Sequence, residues 1–528
     1  MARIAVIGAG MGAMAAAARL AVAGHRVTVY ERAATYGGSL GRFERDGFVF
    51  DTGPGLLHLP AVYRDLFVKT GKEPLERCVR LEQVDPASRH VFADGTDVSL
   101  PNASRGGVVA ALDAALGAGA GERWGAFLNR AGDAWDRSRR PLLEEPLRAD
   151  LEALGRDPYP APRRRRLLRT ARRASTVAEV GAWELADPRL AALLGWYALG
   201  YGLDPRRAPA SAAVLPYLEQ TFGSWYVRGG MRELARALYE RCLARKVEFV
   251  FGAEVARIVE KDGAVTGVEL ADGTAAAADR VVAGIAPGRL LERAPYGEGD
   301  DVAPRVPPPG AAGEVGLVPG RFTVLLALRG AREAGAAHRT VVHSPDTDGE
   351  AAEVFAGRPA GRPTVTVLRP DDPGTRPDED HEAVTLTATV APHGAAGSAS
   401  AAGSAGSAGG GGSVDWTDAA LRESYADVLV AAAGAAVPGL AERLLWREIG
   451  TPADTAARTG ADGGSVPAPA LAGAGGRLLH PANSPAGPAG LYLAGGWAHP
   501  GGGLAHAGMS GALVAGLIVE GADFRGSR

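Results

Sequence analysis

The chain has 528 residues, 46% hydrophobic and 22% charged, with a formal net charge of −3 at pH 7. That describes a globular protein of roughly two to four folding units, long enough to bury a large core without staples. The lack of a basic excess argues against a general nucleic-acid binder, and two cysteines, Cys78 and Cys242, exclude a disulfide scaffold or a cysteine-rich metal site. A reducing compartment suits so few cysteines. The 74 glycines and 36 prolines leave the chain just short of low-complexity composition. Lysine stands only at 69, 72, 246 and 261, so arginine supplies the other positive charges, as a GC-rich coding bias would produce. No stretch reaches the about 20 consecutive apolar residues of a membrane-spanning helix; the best C-terminal candidate, 504–519, is short and contains His506.

Residues 4–7 are an apolar run with β-branched character, the pattern of a buried parallel strand. Arg3 and this run could open a secretory signal, but the next residues specify a structural motif instead. Gly8-Ala9-Gly10-Met11-Gly12-Ala13 is a G-x-G-x-x-A dinucleotide fingerprint. Gly8 permits the tight turn, Gly10 lets a pyrophosphate approach the backbone, and Ala13 keeps the next helix close to the strand. That helix is expected over 11–23, closed by Gly24, with phosphates resting on its N-terminus. A second strand over 26–30 ends in Glu31, at the spacing of a carboxylate that grips a ribose hydroxyl.

Glu31-Arg32 leads to Gly37-Gly38-Ser39-Leu40-Gly41-Arg42, a second glycine pair that brings more backbone near a cofactor. A hydrophobic strand then enters the tight loop Asp51-Thr52-Gly53-Pro54-Gly55. Strands are expected at 89–93 and 97–100, and helices at 106–117, 122–137, 176–200 and 209–219. An arginine run, 163–166 with Arg169, Arg172 and Arg173, interrupts these helices. Short strands come next at 247–251, 254–260, 265–270 and 280–283, punctuated by Lys261-Asp262-Gly263 and Asp272-Gly273. Residues 303–320 read as a Pro/Gly-rich connector, then strands at 322–328, 339–343, 364–368 and 383–390. The segment 394–413 is almost only Gly, Ala and Ser and is expected to be a flexible surface loop. A helix is expected at 416–436. Near the end, 490–503 reads as a strand and a glycine-rich loop, followed by a helix over 507–520 whose N-terminus could support an electron-rich flavin edge.

On these residues the chain resembles the bacterial-type FAD-dependent phytoene (carotenoid) desaturases and related amine-oxidase-like flavoproteins. Four pieces carry the likeness: Gly8 to Ala13 with Glu31; Gly37-Gly38 followed by Asp51-Thr52-Gly53-Pro54; Trp225-Tyr226-Val227-Arg228-Gly229-Gly230-Met231; and Leu491-Tyr492-Leu493-Ala494-Gly495 with His499-Pro500-Gly501 and Gly503. The likeness covers nearly the whole chain, with 394–413 as an insertion. It implies an α/β fold: a discontinuous Rossmann-like FAD-binding domain over 1–80, 228–290 and 478–528, and a mixed-sheet and helical substrate domain over 81–227 and 291–477. It also implies FAD held by Gly8, Gly10, Met11, Gly12, Ala13, Glu31, Arg32, Gly38, Ser39, Arg42, Gly53, Pro54, Val255, Gly495, Gly496, Gly503 and Leu504, with Val255 meeting the adenine through its backbone. There are departures. Ser39 stands where the family usually has an arginine on the pyrophosphate, and Arg42 is expected to substitute. Ala13 replaces the third glycine. Trp497 stands where a small residue is usual, and His506 where an apolar one is.

The implied activity is dehydrogenation of a hydrophobic, polyisoprenoid or carotenoid-type substrate by hydride transfer to flavin. His499, on the family's His-Pro-Gly position, and His506 are the candidate catalytic residues. Trp225 and Tyr226 are candidate walls of a substrate tunnel, with Trp183, Trp196, Tyr197 and Tyr201 in the same half. Each of these aromatics also reads as ordinary core, and each histidine as a loop or helix-start residue without chemistry. A flavin amine oxidase, a polyene saturase or isomerase, and a non-catalytic prenyl-binding protein on the same fold stay open. A soluble amine needs a polar mouth, a lipid an apolar one. No metal is expected: H-E-x-x-H, paired-cysteine, P-loop and G-x-S-x-G motifs are all missing. The expected partner is a hydrophobic small molecule and not nucleic acid, and the residues specify no oligomeric state. Peripheral membrane contact through 140–175 is expected, because basic side chains among apolar ones suit an anionic interface. The expected location is the cytoplasm, on the inner face of the membrane.

Overall fold

The run Arg3–Ile7 is flanked by parallel strands on both sides, and its buried residues Ile4, Ala5, Val6 and Ile7 have no solvent-facing side to keep polar. In the computed structural model, which describes residues 1–148, 150–161, 173–286, 317–395 and 414–526, this strand centres a five-stranded parallel sheet. The spatial order is Glu248–Phe251, Arg26–Glu31, Arg3–Ile7, Arg280–Ala283 and Leu491–Leu493. The beginning, middle and end of the chain thus meet in one sheet. A three-stranded antiparallel sheet, Val255–Lys261, Ala264–Leu270 and Ala275–Ala277, inserts between two of its strands in sequence.

Two helices rich in small residues lie against each other beside the parallel sheet: Met11–Val22 and Leu504–Glu520. Their approach is set by glycine. A Cβ on Gly12 would stand 2.7 Å from Gly495 Cα and 2.9 Å from the Ala507 carbonyl oxygen. One on Gly511 would stand 2.6 Å from the Gly12 carbonyl oxygen. No side chain larger than hydrogen fits at either place.

The second large sheet has seven strands, in the order Leu444–Gly450, Gly320–Arg329, His381–Val390, Val365–Leu368, Arg339–Val342, Ser88–Val91 and Asp97–Leu100. Its pairings are antiparallel except for Arg339–Val342 beside Ser88–Val91. Alternation along Gly320–Arg329 sends Phe322, Val324 and Leu326 into a core with Trp416, Tyr425 and Leu429 from and beside the helix Ala419–Ala433. The other face looks inward, toward a group of helices built around Trp124, Phe127, Leu193 and Leu215. Among the described residues no helix is long and apolar enough to cross a membrane.

Several expectations shift. The helix expected at 176–200 is broken into Val177–Val180, a wider π-type turn over Gly181–Leu185, and Pro188–Gly200. The break follows from Asp187-Pro188: proline takes the first helical position, and the Asp187 carboxylate accepts the Arg189 N–H as a cap. The last helix begins at Leu504, three residues before the expected start. The helices Ala61–Gly71, Thr347–Phe355 and Pro452–Thr459 and the strand Leu444–Gly450 were not among the sequence expectations. Arginines 163–166, 169 and 172, most of the connector 303–320 and all but the first two residues of 394–413 lie outside the described residues.

One buried carboxylate supports the inward-facing sheet. Glu350, in the helix Thr347–Phe355, accepts the Thr364 N–H at 2.7 Å and the Thr364 hydroxyl at 2.6 Å. Burial pushes its carboxyl up to about 7, against the lowering effect of both Thr364 bonds. A raised folded-state value favours the neutral acid, so its contribution is complete below the ordinary carboxylate range and fades as pH rises through about 7. Between about pH 5.5 and about pH 8.5 the wild type should therefore lose about 2 kcal/mol relative to Glu350→Gln, read by denaturant titration of both proteins. Parallel pH profiles would show that Glu350 does not titrate in this range.

Candidate active site

Both small-residue helices begin on the same cavity. Gly10 and Gly503 occupy their N-cap positions with no side-chain cap, and neither first turn holds an acidic residue. The free N–H groups and the helix dipoles therefore favour an anion or an electron-rich group at both points. The cavity has a volume of about 920 Å³. Of the sequence candidates, Gly8, Gly10, Met11, Gly12, Glu31, Arg32, Gly38, Ser39, Gly53, Pro54, Val255, Gly495, Gly496, Gly503, Leu504 and His506 all line it. Glu31 is fixed by two backbone donors, Ala9 N–H at 2.7 Å and Ala33 N–H at 2.8 Å.

The cradle is held from behind by a second clasp. The Asp51 carboxylate accepts N–H bonds from Met231 at 2.8 Å and Arg232 at 3.3 Å, at the start of the helix Arg232–Ala244. Gly230 turns with φ +93, and a Cβ there would press on the Asp51 carboxylate at 2.9 Å. Burial raises the Asp51 carboxyl to about 6, opposed by the two N–H bonds. Two motifs 180 residues apart in sequence thus lock the loop that carries Thr52, Gly53 and Pro54 to the cavity wall.

Five candidates lie elsewhere. Ala13 faces Gly284, whose Cβ would stand 2.7 Å from its methyl group, so its work is helix-to-sheet packing. Arg42 does not reach the cavity; it pairs with Glu44 at 2.5 Å in an exposed hairpin. His499 is fully buried behind the cavity wall, and its Nε2–H donates to the Glu145 carbonyl at 3.0 Å. Burial lowers its imidazole to about 4. Trp225 stands on the Ser224–Val227 strand, with its indole N–H on the Phe222 carbonyl at 3.0 Å. Tyr226 faces away as well, donating its hydroxyl to Asp372 at 2.9 Å. The two aromatics point to opposite faces of that strand, and the Phe222 and Asp372 bonds hold each of them off the cavity.

His506 does face it, from the first turn of the last helix. Burial, with small effects of His480 and His499, lowers it to about 4, so it is a neutral imidazole at ordinary pH.

The sequence expectations found Glu31 and Arg32 but missed the charged residues on the far side of the cavity. Glu219 and Arg339 form a buried, doubly hydrogen-bonded ion pair. Tyr197 donates to Glu219 at 3.2 Å, and His58 lies 3.5 Å from the same carboxylate. Burial alone would raise the Glu219 carboxyl, but Arg339 and His58 bring it below its usual value. Arg339 also lies 5.2 Å over the Trp196 ring. No local motif marks this cluster, because its members come from separate elements. On the cofactor side, Arg458 lines the cavity near Thr52, and Arg32 donates to the Ala457 and Arg458 carbonyls at 2.7 Å. Arg458, not Arg42, lines the cavity beside Thr52, while Arg232 is the cation packed on the glycine pair, donating to the Tyr36 and Leu40 carbonyls. The capping box Thr451-Pro452-Ala453-Asp454 was the sequence signal for the helix that carries Arg458. Among the described residues no group of three or more His, Cys, Asp or Glu is placed to hold a metal.

The residues fit FAD. A Cβ at Gly10 would meet no protein atom within 4 Å, so that side of the backbone is open for a phosphate. A Cβ at Gly38 would stand 3.0 Å from Gly10 Cα, so the second glycine pair closes directly on the first. These two sites separate cofactor loss from unfolding. Gly10→Val should fold with wild-type circular dichroism yet purify with less than about a tenth of the wild-type flavin. Gly12→Val, which strikes backbone, should fail to fold. Full flavin in the Gly10→Val protein would remove the phosphate from this turn.

Known proteins resemble this chain in sequence and in fold. The family described as flavin containing amine oxidoreductase matches residues 14–315. The chain is 32% identical over 281 residues to a 4,4'-diapolycopene oxygenase of Methylomonas sp, covering 53% of this chain and 55% of that one. It is 34% identical over 291 residues to a hydroxyneurosporene desaturase of Cereibacter sphaeroides, covering 55% and 57%. The chain thus spans about half the length of the curated relatives it matches. Among solved structures, an oxidoreductase from Methanosarcina mazei shares the fold at a TM-score of 0.59 and 16% identity, over 97% of this chain and 99% of that one. A putrescine oxidase variant does so at 0.59 and 15%, over 98% and 99%. With more than half of its length matched by the family, on a fold with a glycine cradle suited to FAD, the chain belongs to the flavin containing amine oxidoreductases.

Proposed function

We propose that this chain is an FAD-dependent oxidoreductase that dehydrogenates an apolar, polyisoprenoid-type chain. The observation that carries this reading is the continuity of one cavity. It runs from the glycine cradle to a wall of Leu56, Leu59, Leu199, Leu215, Leu218 and Trp196. Such a wall suits a hydrocarbon chain and excludes water from it. The relatives named as an oxygenase of diapolycopene and a desaturase of hydroxyneurosporene support the same substrate class. Of the carboxylates that line the cavity, Glu219 beside the leucine wall is already neutralised by Arg339, so it offers no free charge to a soluble amine.

When bound, FAD supplies an acceptor for a hydride from carbon. The uncapped starts of the two helices would hold its phosphate and ring ends, Glu31 its ribose, and Arg458 a phosphate oxygen. The apolar wall would align the substrate carbon chain, as orientation and exclusion of water demand. Dehydrogenation also releases a proton. His506, a neutral imidazole on the cavity surface, would accept it, and its lowered basicity means it would soon release the proton to solvent at the open side of the cavity. We assign the FAD-binding part of the chain to 1–80, 228–290 and 478–528, and the substrate part to 81–227 and 291–477. The arginine-rich segment within 140–175 would rest on an anionic membrane surface on the cytoplasmic side and give a lipid-dissolved substrate its way in.

Anaerobic flavin bleaching tests the central claim. FAD-loaded protein should be bleached by polyisoprenoids in vesicles and not by a panel of soluble amines. Bleaching by an amine alone would overturn the reading. In the same single-turnover assay His506→Ala should slow bleaching at least about tenfold; an unaltered rate would place the proton elsewhere. Exchange of arginines 163–166 for glutamine should weaken binding to vesicles rich in anionic lipid and leave binding to neutral vesicles as it was. Equal binding to anionic vesicles would remove the membrane contact.

A further inference from the structure

The inward face of the seven-stranded sheet is polar where a hydrocarbon site would be aliphatic. Arg321, Thr323, Thr387, Thr389 and Thr366 all line the cavity. Their register makes them one patch: Arg321 pairs with Thr389, Thr323 with Thr387, and Thr387 with Thr366 on the next strand. The intervening residues Phe322, Val324 and Leu386 go to the opposite, apolar core. The pleat therefore delivers a row of hydroxyls, ending in a guanidinium, to the substrate side.

Arg321 is held but not neutralised. Its Nη1 donates to the Gly320 carbonyl at 3.3 Å and the Thr389 hydroxyl at 3.0 Å, and its Nη2 donates to the Gly200 carbonyl. Thr389 is oriented in turn by donating to the Leu199 carbonyl at 3.2 Å. Among the described residues no carboxylate pairs with Arg321, whereas Arg339 in the same cavity has Glu219 and Arg422 has Asp454 at 3.6 Å. Burial with no acid beside it lowers the Arg321 guanidinium to about 10. Its Nε–H has no protein partner among the described residues, so part of the guanidinium is left for a carboxylate. The Thr323 and Thr387 hydroxyls likewise have no hydrogen-bond partner among the described residues. A half-buried cation with no carboxylate beside it is one that an anionic ligand would satisfy.

We propose that Arg321, with the Thr323–Thr387 hydroxyls beside it, binds the carboxylate end of the substrate, so that the natural substrate is a long apolar chain terminating in a carboxylate. The assignment rests on reading this cavity as the substrate cavity. It deepens that reading: the leucine wall takes the chain, and the sheet takes its end.

The test reads binding separately from chemistry. FAD-loaded full-length protein is titrated anaerobically with geranylgeranoic acid, geranylgeraniol and the corresponding methyl-ended hydrocarbon, following the shift of the flavin absorbance. The acid should bind about tenfold or more tighter than the alcohol, the difference a charge-assisted hydrogen bond supplies. Arg321→Gln should bring acid and alcohol within about twofold of each other. Should that variant fail to hold flavin, the double variant Thr323→Val, Thr387→Val should still reduce the acid's preference by about threefold or more. Equal affinities in the wild type, or a preference that survives Arg321→Gln, would overturn the proposal. Acid binding through Arg321 without bleaching by any polyisoprenoid would keep it and sink the desaturase reading. Bleaching by polyisoprenoids with no preference for the acid would do the reverse.

Discussion

The close approach of two glycines decides where this site can exist. Gly12 lies against Gly495, and Gly511 against the Gly12 carbonyl, so the first and last helices pack backbone to backbone. That contact brings two uncapped helix starts, more than 480 residues apart in sequence, onto one cavity. A side chain at either glycine would separate the helices. The backbone donors at Gly10 and Gly503 would then no longer share a ligand. The alanine-rich composition of Met11–Val22, a poor source of buried apolar area, follows from the same need: small side chains are what let the helices meet.

Around this contact the charged groups fall into two classes. Some are satisfied inside the protein. Asp51 accepts the N-terminal N–H groups of a helix, Glu219 and Arg339 cancel each other, and Glu350 holds Thr364. Each fixes the position of a lining residue without asking anything of a ligand. Others are positioned but left open: Arg321 by three neutral oxygens, and the two helix starts by geometry alone. Partial burial makes the second class costlier than the first unless something fills it. The open groups therefore describe the ligands better than the satisfied ones do.

The sequence exposed the parts of this design that are local. Strand, glycine turn, helix and Glu31 succeed one another within thirty-one residues, so spacing alone carries the fingerprint. The Asp51 and Gly229-Gly230-Met231 motifs were visible as separate pieces, though only the fold shows that one clasps the other. The Asp187-Pro188 break and the Thr451–Asp454 capping box are helix signals just as local, yet a reading led by apolar periodicity passes over both. The Glu219–Arg339–His58–Tyr197 cluster was not legible, since its members sit on a helix, two strands and a second helix and meet only through packing. Trp196, Tyr197 and Tyr201 do line the cavity, but two other aromatics show the opposite failure. Trp225 and Tyr226 sit in a family motif, but their bonds to the Phe222 carbonyl and the Asp372 carboxylate anchor them off the cavity.

Strand alternation explains why the polar patch and the apolar wall can coexist in one cavity. Along Gly320–Arg329 every second residue belongs to the Trp416 core, so that half of the strand must be aliphatic or aromatic. The other half is free to vary, and it holds Arg321 and Thr323 before returning to Leu325. The helices opposite contribute Leu199, Leu215 and Leu218, whose positions are constrained by packing against their neighbours. Cavity shape is thus set by elements that also form the hydrophobic core, while cavity polarity is set by residues on one sheet face. A change of end group between related enzymes of this architecture would then need substitutions only at alternate positions of two or three strands, with the glycine cradle and the leucine wall left as they are.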